Sequence, residues 1–217
     1  MNIKKISLFI FFIPTITVIL SYLFSLYLNL VPSCIPMIDG CTSISRTGRY
    51  FPVNYFFKTF MSITGIFLLL YWYNNFIFLS KNFNSKLTKL TFIIGVFSVL
   101  FLFLYIIFLG ENNYYKFFRK IGIFIYILFS IVAELFLSFI YYKNNNNLFF
   151  FVKKYTKLKF LLSIFLTVTG LILFPFMVMK IDNVANIRNI ISWNFFLFIQ
   201  FNFLLTFYCL VKRKNFK

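Results

Sequence analysis

Six stretches of this chain run for about twenty residues or more without a Lys or Arg: residues 6–31, 59–80, 90–110, 121–142, 160–179 and 189–211. Each is long enough to cross the roughly 30 Å hydrocarbon layer of a bilayer as an α-helix. Five of the six also lack acids, and the fourth contains one, Glu134. The runs are apolar on every face. That favours helices over a β-barrel, whose strands alternate polar and apolar positions over about ten residues. The expected fold is therefore all-α: a polytopic bundle of six transmembrane helices forming a single membrane domain over residues 1–217.

Composition supports this reading and narrows the chemistry. Hydrophobic residues make up 61% of the 217, and charged residues only 12%, half the share of a soluble domain. The apolar run after Lys4 and Lys5 is too long for a signal-peptide core and is read as a retained first span. His is absent and only four acids are present. Those residues exclude a Ser-His-Asp triad, an HExxH site and most metal centres, so no cofactor or metal is expected and no nucleophile–base pair is visible. The chain carries no nucleic-acid-binding module. Its net charge of +18 belongs in the loops. Fourteen Lys and Arg, around Lys4, Lys81–Lys89, Lys143–Lys159 and the C-terminus, fall on one side of the expected bundle and eight on the other. This bias predicts that both termini face the cytoplasm. Three of the acids, Asp39, Glu111 and Asp182, fall on the opposite side.

Four features stand out against the apolar background. The first outer loop, residues 32–54, contains Cys34 and Cys41, which are candidates for a disulfide in an oxidising compartment. Its polar cluster Arg46, Thr47, Gly48 and Arg49, with Lys58 just inside the second span, is a candidate site for a phosphate-bearing lipid headgroup. Glu134 is an intramembrane carboxyl and hence a functional candidate by default. Its expected partners are the amides Asn74, Gln200 and Asn202, and a neutral carboxyl donating a hydrogen bond is expected if desolvation dominates. Trp72 and Trp193 read as members of an interfacial aromatic belt. The basic segment at residues 153–159, KKYTKLK, is expected to lie against anionic lipid.

Residues 43–61, SISRTGRYFPVNYFFKTFM, resemble the start of the DRAM/Frag/Sfk family, with its CWH-type N-terminal domain. The matching positions are Ser43, Ile44, Ser45, Thr47, Gly48, Pro52, Phe57 and Lys58. A weaker similarity lies at Trp193 and at Thr206-Phe207 near the end of the last span. The chain departs from the family at Ser192, where an acid is usual, and in having no His. The resemblance implies six spans and an association with membrane lipid rather than a reaction. The expected function is a non-catalytic integral membrane protein that binds or organises membrane lipids, in a bacterial inner membrane or a eukaryotic endomembrane or plasma membrane. The alternative is a small-solute or ion transporter or channel with a midplane site at Glu134.

Overall fold

The computed structural model describes residues 2–83, 86–110, 113–146, 151–178 and 185–210. Glu111, Asp182 and the basic C-terminal residues 212–217 lie outside them. The described chain is helical, and six of its helices are long and apolar enough to cross a membrane. They are α1 (Ile3–Tyr27), α4 (Val53–Phe83), α5 (Lys86–Ile107), α6 (Asn113–Lys143), α7 (Lys153–Val178) and α8 (Ala185–Cys209). Two short helices, α2 (Pro36–Asp39) and α3 (Ile44–Thr47), lie in the loop between α1 and α4. In hydrocarbon only internally satisfied backbone is tolerated, so runs of this composition become helices. Several extend beyond the stretches free of Lys and Arg. Lys is a good helix former, and its ammonium can snorkel out of the apolar layer.

The long helices form a closed ring in chain order. α1 packs on α4, α4 on α5, α5 on α6, α6 on α7, α7 on α8, and α8 returns to α1. The two ends of the described chain meet at one end of the ring, where the Lys4 ammonium sits 4.8 Å above the Phe207 ring. This end is called the lysine end below. The opposite end carries the α1–α4 loop and is called the loop end.

Small and hydroxylated side chains face inward and let the helices approach. Thr17, Thr64 and Thr91 are buried and donate to the carbonyls of Ile13, Phe60 and Leu87 one turn back, so their hydroxyls need no partner on another helix. Gly95 of α5 lies flat against the Trp72 ring of α4, where a Cβ would come within 2.3 Å of Cδ2. Large apolar side chains such as Phe12, Leu23 and Leu171 point outward and are half exposed or more. Both tryptophans, however, are buried, at 1% and 2% exposure. They belong to the interior of the ring and do not form the interfacial belt expected from sequence.

The end of α1 shapes the first loop. Asn29 adopts a left-handed φ of 56°, and the Leu30 and Asn29 amides return to the Ser25 and Leu26 carbonyls at 2.8 and 2.9 Å. This is a Schellman stop, with Asn in place of the usual Gly. The loop then folds over the start of α8. Trp193 Nε1 donates to Thr42 O at 2.9 Å, Asn189 Nδ2 to Gly40 O at 2.8 Å, and Asn194 Nδ2 to Met37 O at 3.0 Å. A disulfide joins Cys34 to Cys41, with Cα atoms 6.5 Å apart.

Candidate functional site

Two polar constellations break the apolar interior. The first is built around Glu134 of α6. Its carboxylate forms an ion pair with the Lys159 ammonium of α7, and both side chains are almost wholly buried. Lys159 Nζ also donates to the backbone and side-chain oxygens of Asn202 on α8, at 2.9 and 2.6 Å. Its three protons thus have three acceptors. The other carboxylate oxygen accepts from Tyr71 of α4 at 2.9 Å, and the Tyr71 oxygen lies 2.8 Å from the Thr206 hydroxyl. Asn202 Nδ2 donates to Ser163 Oγ at 2.8 Å. Four helices of the ring are therefore tied together through one buried pair.

This network differs from the sequence expectation in three respects. Glu134 is paired with Lys159, a partner the expectation did not include. Asn74 is not part of it; its amide donates to Leu70 O on its own helix at 2.7 Å. The neighbouring Asn75 is the inward amide, bonded to the Tyr141 hydroxyl. Gln200 is buried, yet its Oε1 has no hydrogen-bond partner. Glu134 lies nine residues from the end of α6, roughly 14 Å, and Lys159 six from the start of α7, roughly 9 Å. The network is therefore nearer the lysine-end termini of α6 and α7 than their opposite termini. The cavity that reaches Glu134 is lined by Ser130, Ser163, Leu166 and Asn202 and measures about 10 Å³, close to the minimum for a single water.

Reading the basic segment as uniformly solvated missed Lys159. The available signal was helical spacing. Lys153, Lys154 and Lys157 are exposed, whereas Thr156, Lys159, Ser163 and Leu166, three or four residues apart, form one buried face. Tyr71 and Thr206 carried no such signal.

The second constellation is at the loop end. Ser43 caps α3 by accepting from the Arg46 amide at 3.3 Å. Thr47 and Gly48 face inward. The Thr47 carbonyl accepts from Ser25 Oγ at 2.6 Å, and a Cβ on Gly48 would come within 2.5 Å of the Phe57 ring. These two positions hold the loop against α1 and α4 and do not present themselves to a ligand, so they leave the expected headgroup set. Arg46 is exposed.

Arg49, Lys58 and Arg119 instead gather around the end of α5. Lys58 Nζ donates to Ile107 O at 3.3 Å, and the Arg119 guanidinium donates to Gly110 O at 2.9 Å. The Ile107 carbonyl is left open at the C-terminus of α5, where cations are favoured, and Gly110 lies three residues beyond it. Arg119 is only 6% exposed and lies within repulsive range of Arg49, whose buried Nε has no hydrogen-bond partner. Among the described residues the only ion pair is Lys159–Glu134, so none of them brings a carboxylate to this group. Asp39 turns back to the Ile35 amide at 2.8 Å. Arg119 was not identified as a site residue from sequence because it lies seventy residues from Arg49 and only the packing of α5 on α6 brings it there.

Comparison with protein families, with curated proteins and with solved structures finds no match to this chain.

Proposed function

We propose that this chain is a non-catalytic, multi-pass membrane protein that binds or organises phospholipid, and that Arg49, Lys58 and Arg119 receive the phosphate of the headgroup. The observation that carries this reading is the approach of two guanidiniums, one of them buried, with an unpartnered Nε and no carboxylate beside them among the described residues. A phosphate supplies what no described residue gives the pair: negative charge and several acceptor oxygens that match the arginine fork. The two arginines and Lys58 sit where a helix entering the bilayer meets its headgroup layer. The resemblance of residues 43–61 to the DRAM/Frag/Sfk family points the same way. Its Ser, Thr, Gly and Phe positions shape the loop, and the flanking Arg49 and Lys58 supply charge. On the charge bias, we place the lysine end in the cytoplasm and the loop end outside. Transport through Glu134 is the weaker reading, because its carboxylate is fully engaged and the adjoining cavity has room for about one water.

Delipidated protein in neutral detergent, titrated with phosphatidylglycerol or phosphatidylcholine and followed by thermal unfolding, tests the proposal. A ligand at roughly 100 times its Kd stabilises the folded state by about 2.7 kcal/mol. The expected result is a rise in Tm with phosphatidylglycerol that is lost in Arg49→Gln and Arg119→Gln and kept in Arg46→Gln. An equal rise in all four proteins would overturn the site.

A further inference from the structure

A groove at the lysine end lies where the ends of α4 and α6 meet the start of α5. Phe83, Leu87, Phe139 and Ile140 form its walls, with Lys143 and Asn144 at one margin, and its volume is about 160 Å³. We propose that this groove is a second lipid site, holding one acyl chain of an anionic phospholipid whose phosphate meets Lys143. Three observations select this occupant. The walls are aromatic and aliphatic and come from the helices that also form the outer surface, so a chain can enter sideways from the bilayer. Lys143 lies about one helical turn beyond Phe139 and Ile140 on α6, roughly 5–6 Å toward the aqueous end. A cation placed just above an apolar slot matches the order of phosphate and hydrocarbon in a phospholipid. The surrounding surface is also one-signed: Lys81, Lys86, Lys89, Lys153, Lys154 and Lys157 are exposed at the same end. The acid nearest this end among the described residues, Glu134, is buried and already paired with Lys159. That collar attracts anionic over zwitterionic headgroups.

The site extends the lipid-binding reading but does not share its residues. It lies at the opposite end of the ring from Arg49 and Arg119, so either site can fail without the other.

The full chain in phosphatidylcholine nanodiscs, doped with phosphatidylglycerol carrying a diazirine in one acyl chain, tests the assignment by photolysis and peptide mapping. Adducts are expected on Leu87, Phe139 and Ile140 at about tenfold the density on the outward-facing Phe12 and Leu23 of α1, corresponding to a preference of one decade in affinity. Lys143→Gln, a substitution at an exposed position, is expected to lower that labelling about fivefold. Leu87→Trp, which fills the groove from its half-buried wall, is expected to abolish it. Equal labelling of groove and α1, or equal labelling from a phosphatidylcholine probe, would overturn the proposal. An unlabelled groove in a chain that cross-links to a second copy through Phe139 would assign the groove to dimerisation and would also overturn it.

Discussion

At the scale of single residues, the chain spends one of its four acids on a buried pair. Moving a charge into hydrocarbon is costly, and the pair persists because every proton and lone-pair direction that matters is occupied: three acceptors surround Lys159, and Tyr71 engages the second oxygen of Glu134. Breaking one side is the severe change. Lys159→Met leaves a buried, uncompensated carboxylate and is expected to destabilise by about 3–5 kcal/mol, measured by thermal or denaturant unfolding in detergent. Glu134→Gln with Lys159→Met removes both charges together and should recover most of that loss. If the double substitution is as unstable as the single, the network has been misread. Glu134 was legible as an anomaly because it is the one acid in an apolar run. Its partner was not, because Lys159 shares a basic segment with three exposed lysines and only the side of the helix distinguishes them.

At the scale of elements, close approach at glycines and the fold of the first loop fix how the helices pack. Gly95→Ala would place a methyl group against the rigid face of Trp72 and is expected to destabilise by about 1–3 kcal/mol. Gly170→Ala meets its nearest neighbour, Phe195 Cζ, at 3.4 Å and is expected to cause no loss. Thermal unfolding of the two variants side by side checks the contrast. The first loop is tied to α8 by the Asn189, Trp193 and Asn194 bonds and closed by the Cys34–Cys41 bridge. The third cysteine, Cys209, is free and buried. Alkylation followed by intact mass should therefore label no thiol in the native protein, one after unfolding, and three after unfolding with reductant. The six apolar runs made the long helices legible, with ends displaced by several residues because Lys tolerates helix. The loop's attachment to α8 was not legible. It depends on side chains more than 140 residues apart, and the buried Trp193 looks like a belt residue until its Nε1 is seen on Thr42 O.

At the scale of the whole molecule, a ring of six helices separates two charge environments. The lysine end carries most of the exposed lysines, and the loop end gathers Arg49, Lys58 and Arg119 around the end of α5. The described basic residues therefore gather at the two ends of the ring, joined by a packed interior whose single described ion pair locks α6 to α7. Charge counting reached this division, but it treated each arginine separately; the convergence of Arg49 with Arg119 exists only once α5 and α6 are packed. Lipid retention at such a site should weaken as ionic strength rises, since exposed parts of the interaction are screened over about 8–10 Å at physiological salt. The most direct test of the central claim is native mass spectrometry of the full chain released from detergent after exchange into equal phosphatidylglycerol and phosphatidylcholine. The account predicts retained phosphatidylglycerol adducts on the unaltered chain and a marked loss of them in the Arg49→Gln, Arg119→Gln double variant. Adducts of both lipids in equal proportion, unchanged by that double substitution, would contradict it.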